Sequence, residues 1–531
     1  MSEKKNIARA AGVLGFATII SRIMGMVRDM VVSRLFGAGF ATDAFFAAFQ
    51  IPNMLRRFFA EGALTSAFVP TFSEWYIHKG EEEARELANI CFTLLTIVMA
   101  AVTLLGILFS PQIVHLMFPG FVHAPPQTLP GGATITKLDL TVLLNRMMFP
   151  YIFFISLVAL FMGILNTVRH FFTPAISTVF LNLAMIGCAV FLHNRFSVPI
   201  TALAVGVLVG GVLQFFLQLP TLYRKGFHLR PRFGFRHPAV RKIALLMGPA
   251  IFGVGVYYLN ITVGNILASL LPQGSVSYLY YAQRLFEFPQ GIFTVSVAQA
   301  VLPSMSRQAA AGEMDGLKDS LGFGLRLTLF ITVPAMAGLM ICATPIFSLL
   351  FMGGAFDYDK AVQCGRALFF YALGLSVVAL VRVLVPAFYS LKDTRTPVVV
   401  AFVAFILNLL FSLMLMGPLR HGGLALASTL SALCQMALLL YLLRRKIGRF
   451  GGRGILVAGA KSAVASIPMA FVVVWGMRFA DWTLAGHKMA KGATLLGTIG
   501  VGVGVYFLCA HLVHCEEARE AAKLIRRKVL K

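Results

Sequence analysis

The sequence predicts an all-α polytopic membrane protein of about 14 transmembrane helices, grouped as two pseudo-symmetric six-helix lobes plus two C-terminal helices. Three observations carry that expectation. The 531 residues are 58% hydrophobic and 13% charged, with a mean hydropathy of +0.82, which is too apolar for a soluble domain. Runs such as "LLTIVMAAVTLLGILF", "AFVAFILNLLFSLMLM" and "AVASIPMAFVVVWGM" recur from end to end, and each is long enough to cross roughly 30 Å of hydrocarbon. Third, the chain repeats itself once.

The repeat consists of paired segments in the same order. "SPQIVHLMFPG" from Ser110 matches "TPIFSLLFMGG" from Thr344, and "RMMFPYIFFISLVAL" from Arg146 matches "RALFFYALGLSVVAL" from Arg366. "ILNTVRHFFTP" (Ile164 to Pro174) matches "AFYSLKDTRTP" (Ala387 to Pro397), and "LQFFLQLPTLYRKG" matches "CQMALLLYLLRRKIG". The offset stays within roughly 220 to 235 residues, the mark of a duplicated bundle. About six spans per half, an even number, makes the halves parallel repeats, an arrangement in which transporters bind substrate between the halves.

The expected organisation is an N-lobe over 1–225 and a C-lobe over 226–446, the latter preceded by a basic cytoplasmic loop. Two extra helices follow within 447–514, then a basic cytoplasmic tail over 515–531, expected to lie on the membrane surface. In the last span Gly500 and Gly504, four apart, suit either close helix packing or a smooth face for a lipid chain.

The net charge of +25 does not indicate nucleic acid, because no basic domain or aromatic-interleaved basic strand accompanies it. It belongs to membrane-flanking loops. Counting Lys and Arg between spans gives roughly 28 on the side of the N-terminus and about 7 on the other, which places both termini in the cytoplasm. No small-residue cleavage site follows the first apolar run, so no cleavable signal peptide is expected. The seven cysteines fall mostly within apolar runs, where packing rather than a disulfide framework is the expected role.

The informative residues are charges inside spans. An Arg or Asp at mid-bilayer costs about 2.5 to 3.5 kcal/mol, so such residues face the bundle interior or water and by default mark a substrate path. In "SRIMGMVRDMVVSRLFGAGFATDAFF" these are Arg22, Arg28, Asp29 and Asp43, with Arg34 placed to snorkel to the interface. Arg28 and Asp29 are adjacent and point about 100° apart, so their partners are expected elsewhere. The next span adds Arg56, Arg57 and Glu61 with Pro52 and Pro70, suggesting a bent or broken helix. Arg57 and Glu61, four apart, also fit a simple intrahelical pair.

In the second half Arg284 and Glu287 lie three apart on one face just before Pro289. The balance of these groups is slightly cationic. Arginine stays charged when buried and grips phosphate oxygens in pairs, which points to a phosphorylated anionic substrate. A cation exporter of the same fold would depend instead on Asp29 and Asp43, and a non-transporting membrane scaffold for wall synthesis on none of these residues.

Other chemistry finds no support in the residues. "GILVAGAKS" (Gly454 to Ser462) lacks the Gly directly before Lys and the preceding strand that a P-loop needs. Histidines such as His78, His115, His170 and His237 show no paired metal spacing, and no nucleophile arrangement stands out. Catalytic residues, a bound metal and a cofactor are not expected.

The chain resembles the MurJ (MviN) family of lipid-linked peptidoglycan-precursor flippases nearly throughout. The most specific segments are "SRIMGMVRD", "FGAGFATDAFFAAFQIPNMLRRFFAEGALTSAFVP", "YYAQRLFEFPQGI" and "FYSLKDTRTPV". The resemblance implies a MATE-like fold with a cationic cavity, a groove along the last two helices for a polyprenyl tail, and a place in the bacterial inner membrane. It implies lipid II, a polyprenyl-pyrophosphate-linked glycopeptide, as substrate moved by alternating access, with membrane lipids and wall-synthesis proteins as further partners. It also implies that Arg22, Arg28, Asp29, Asp43, Arg56, Arg284 and Glu287 stand at positions that matter for transport. Gln50 and Gln283 depart from relatives that carry a charge there. Where some relatives hold sodium with carboxylates, this chain offers Asn260, Asn265 and Asn408, so coupling to the membrane potential or another ion is left open.

Overall fold

A computed structural model describes residues 3–57, 64–128, 132–291 and 295–519. It is helical apart from a short hairpin, Gln127–Thr128 with Thr134–Ile135. The chain divides into two compact units, Met1–Val276 and Ser277–Lys531.

Unit 1 runs α1 (Glu3–Phe36), α2 (Phe40–Arg56), α3 (Thr65–His78), α4 (Glu81–Leu108), α5 (Ser110–Met117), α6 (Lys137–Met148), α7 (Tyr151–Thr167), α8 (Phe172–Leu192), α9 (Thr201–Arg224) and α10 (Pro238–Ser269). Its core joins Phe68 and Phe72 of α3 to Leu160, Phe161 and Ile164 of α7. Helix α10, which the repeat assigns to the second half, packs on α3 within unit 1.

From Ser277 onward, unit 2 holds most of α11 (Ser275–Pro289), then α12 (Val295–Ala311), α13 (Met314–Ile341), α14 (Ala343–Leu350), α15 (Tyr358–Leu373), α16 (Leu375–Ser390), α17 (Arg395–Leu419), α18 (His421–Ile447), α19 (Gly452–Gly476) and α20 (Lys488–Leu512). The P-loop-like segment Gly454 to Ser462 is continuous helix in α19.

The duplication is written into the backbone. α4 and α13 each span 28 residues, and each is followed by an eight-residue helix, α5 and α14. α7 and α16 end in the same left-handed turn, with Arg169 at φ 59° and Lys392 at φ 58°. In both turns the residue after the left-handed one donates to the carbonyl five residues back: His170 to Leu165 at 2.8 Å and Asp393 to Phe388 at 2.9 Å. This is the Schellman closure, which satisfies carbonyls that a helix end leaves open. In the second copy Asp393 also accepts from Lys446 Nζ at 2.6 Å and Thr396 Oγ1 at 2.8 Å, and these bonds hold its carboxyl down at about 2.

Among the described residues nine helices are long and apolar enough to cross a membrane, or ten with the bent pair α15–α16. Reaching fourteen requires four more crossings: α1, α10, α2 with α3, and α11 with α12. Pro52 lies inside α2 and Pro70 inside α3, and the stretch between the two helices, 58–63, lies outside the described residues.

α19 and α20 meet at other glycines than expected. A Cβ on Gly502 would lie 2.9 Å from Val473 Cγ2, and one on Gly476 would lie 2.4 Å from Thr498 Cγ2. Among the described residues nothing lies within 4 Å of a Cβ on Gly500 or Gly504, so these two are not at the contact between α19 and α20. Tyr506 fastens α20 to α13 through its hydroxyl, which donates to the Phe330 carbonyl at 2.6 Å. The start of the expected tail is packed rather than surface-bound: Cys515 and Ala518 are buried, and Arg326 Nε reaches Glu517 at 3.1 Å. The rest of the tail, 520–531, lies outside the described residues.

Two outcomes follow. Overpacking at Gly502→Val should destabilise the protein by about 1–3 kcal/mol, while Gly500→Val should leave its thermal midpoint in detergent within error. Because Asp393 titrates at about 2, below the usual 3.8, its pair with Lys446 contributes fully above that ordinary value. The contribution fades as pH falls from about 4 towards 2. Asp393→Asn should flatten the pH dependence of the midpoint in that window and leave it unchanged elsewhere.

Candidate functional site: intramembrane charges

The charged residues singled out from the sequence separate into buried, partnered groups and accessible ones. Arg28 and Asp29 are buried, at 5% and 2% exposure. They pair with each other: Arg28 Nη2 and Nε donate to Asp29 Oδ1 at 2.7 and 3.0 Å. The expectation that neighbours on a helix cannot pair is therefore corrected. Their Cβ directions do diverge, but the arginine stem is long enough to fold back along α1 to the next carboxylate. The guanidinium also reaches α8, where Nη1 donates to Asn182 Oδ1 at 3.1 Å. Ser21 Oγ and Thr178 Oγ1, 2.8 Å apart, make a second polar contact between α1 and α8.

Asp43, in the first turn of α2, is 1% exposed. Its carboxylate meets a lysine: Lys137 Nζ lies 2.7 Å from Oδ2, and the Gly274 amide donates to the same oxygen at 2.7 Å. Lys137 itself is buried, with its ammonium 4.5 Å from the centre of the Phe121 ring, a cation–π contact that helps replace water. One carboxylate thus ties α2, the start of α6 and the turn before α11. Sequence reasoning passed over Lys137, though a lysine at the head of the apolar run "KLDLTVLL" carried the signal.

Arg22 is exposed, and Arg56 and Arg57 are half-buried at the end of α2. Arg56 Nε donates to Asn53 Oδ1 at 3.1 Å, a bond one turn back that holds the side chain beside the helix end. Glu61 lies outside the described residues, and with it the expected Arg57–Glu61 pair. Arg34 is half-buried.

In unit 2 the expected one-face pair forms. Arg284 Nη1 is 3.6 Å from Glu287 Oε2, with side chains 33% and 47% exposed. The Tyr280 hydroxyl accepts from Arg284 Nη2 at 3.3 Å, and Gln283 Nε2 donates to Glu287 at 3.4 Å. Arg382, also missed, donates to the buried Gln290 at 3.1 Å. As an arginine inside "LVRVLVPAF" it met the criterion used for the others. Asn408, considered against sodium coupling, donates to Ser431 at 3.2 Å and accepts from Ser412 at 3.2 Å, so its amide fastens α17 to α18.

The family profile "Lipid II flippase MurJ" matches residues 32–491. The chain belongs to the MurJ family. That family is one of flippases, a class of transporter rather than of enzyme. A probable lipid II flippase MurJ of Vibrio cholerae is 38% identical over 94% of this chain and 95% of its own length. The lipid II flippase MurJ of Burkholderia cenocepacia is 36% identical over 94% and 96%. Among solved structures, lipid II flippase MurJ in an inward closed conformation superposes with a TM-score of 0.75 at 26% identity, covering 98% of this chain and 99% of that one. An inward-facing MATE multidrug transporter superposes at 0.68 with 13% identity, covering 82% and 98%, and it shares the fold alone.

The buried pair gives a separable test. Lys137→Met takes the ammonium away from the buried Asp43 carboxylate, which should cost about 3–5 kcal/mol of stability. The double variant Asp43→Asn with Lys137→Met should recover more than half of that in thermal unfolding. Transport by the recovered double variant then shows whether the pair acts beyond holding the helices.

Proposed function

We propose that the chain moves lipid II from the cytoplasmic to the outer leaflet by alternating access, as a multi-pass protein of the bacterial inner membrane with both termini in the cytoplasm. The observation that carries this reading is the near full-length relationship to named lipid II flippases, joined to arginines that keep accessible surface. Arg22, Arg56, Arg57 and Arg284 remain reachable, and each supplies guanidinium donors matched to phosphate oxygens. They meet the pyrophosphate. Arg28, Asp29 and Asp43 serve transport indirectly, by holding α1 on α8 and α2 on α6. Glu287 orients Arg284 and limits its charge.

The polyprenyl tail stays in lipid and runs along the open face of α20, where Gly500 and Gly504 expose a smooth strip. No bond is made or broken. The membrane potential supplies a drive for the return of the empty carrier, since one charge moved across 100 mV is worth about 2.3 kcal/mol.

In vesicles containing the purified protein, labelled lipid II should cross while a labelled organic cation should not. Arg56→Ala and Arg284→Ala should each slow lipid II translocation about 10- to 100-fold, as loss of charge-assisted bonds worth about 1.5–3 kcal/mol implies. Lysine should restore little at either site. Unchanged rates in both alanine variants, measured with normal thermal stability, would refute the assignment.

A further inference from the structure

Away from these charges, the basic-loop end of unit 1 holds a cavity of about 580 Å³ lined by Tyr76, Glu81, Arg85, Arg169, Arg224 and Lys225. Four cations therefore face one carboxylate. Glu81 neutralises only Arg85, at 2.9 Å, and its other oxygen accepts from the Tyr76 hydroxyl at 3.2 Å. Among the described residues Arg169, Arg224 and Lys225 have no ion-pair or hydrogen-bonded side-chain partner. Gly226 has φ 82°, and a Cβ there would lie 2.8 Å from Arg85 Nη2. The missing side chain is what lets the Arg85 guanidinium lie against the backbone.

The repeat explains why this charge surplus is informative. The second copy has the same left-handed turn, and there Asp393 neutralises Lys446 at 2.6 Å. In the first copy the position of Asp393 is taken by His170, and Lys225 stands for Lys446. His170 is hydrogen-bonded to Thr173 at 2.8 Å, and partial burial, then Lys225, push its pKa down towards the neutral ring; unlike the Asp393 carboxylate, an imidazole brings no negative charge to the turn. In unit 2 a smaller cavity of about 490 Å³ is lined by Tyr441, Arg444 and Arg445, and Lys446, next to them in sequence, is already neutralised by Asp393.

We propose that the pocket of unit 1 binds a phosphate group from outside the chain, that of an anionic phospholipid head, in the place where the second copy carries its own carboxylate. The volume lies within the range of about 300–1,000 Å³ typical of ligand sites. Basic pockets at the cytoplasmic ends of spanning helices are suited to phosphate head groups. Exposed Ile77, Phe172 and Tyr223 stand beside the lining segments in sequence and offer apolar surface to the acyl chains.

The test titrates the full-length protein, in neutral detergent, with dioctanoyl phosphatidylglycerol, dioctanoyl phosphatidylcholine or inorganic phosphate while following thermal unfolding. The phosphatidylglycerol should raise the midpoint saturably and the choline lipid should not. Arg224→Gln should weaken the apparent affinity about five- to tenfold, and His170→Asp should weaken it at least as much without lowering the unliganded midpoint, because it rebuilds the neutralised turn of the second copy. Lys446→Gln should leave the affinity unchanged. Wild-type affinity in both unit 1 variants, or equal stabilisation by the choline lipid, would overturn the site. Inorganic phosphate saturating as tightly as the glycerol lipid would overturn the lipid as its source. The readout is binding, so it fails or succeeds independently of the transport assignment.

Discussion

A charge placed inside an apolar helix must be met by another group of the protein, and that requirement decides which helices of unit 1 are held together. At a cost of about 2.5–3.5 kcal/mol for each unmet charge near mid-bilayer, Arg28 cannot sit on α1 without both Asp29 and Asn182. The same demand brings Lys137 and the Gly274 amide to Asp43. Each cluster consumes its charge in fixing a helix contact. The polar groups most visible in the sequence are thus partly structural, and their burial is what allows neighbouring helices to stay polar without unfolding.

That division sharpens the functional reading. A buried ion pair contributes little net stability but is costly to break, so it suits a hinge or an anchor. A phosphate ligand needs donors that it can reach. Arg22, Arg56, Arg57 and Arg284 keep accessible surface, and on the proposed reading they are the groups that meet the pyrophosphate. The duplicated turns make the same distinction on a smaller scale, because one copy carries its own anion at Asp393 and the other leaves its lysine unmatched.

The fold class was legible because hydropathy and an internal repeat are low-resolution properties that survive substitution. The repeat was legible at "ILNTVRHFFTP" and "AFYSLKDTRTP" because both encode one left-handed turn. Partner choice was harder to read. Arg28 with Asp29 was misjudged from Cβ geometry, which ignores the reach of a long side chain. Lys137 was missed because it sits far from Asp43 in sequence, and only tertiary packing brings the two together. Helix contact at Gly502 rather than Gly500 turned on a difference of about 160° around α20, finer than a spacing argument resolves. The pair Arg284 and Glu287 was read correctly because three-residue spacing is local information.

The central claim is that the accessible arginines, not the buried pairs, touch the substrate. It is tested most directly by photocrosslinking lipid II labelled on its first sugar, followed by mapping of the modified peptides. Crosslinks should fall on the segments carrying Arg22, Arg56 and Arg284 and should be displaced by unlabelled lipid II. Displaceable crosslinks centred on Asn182 and Asp29, with none on the segments of Arg56 and Arg284, would contradict the account.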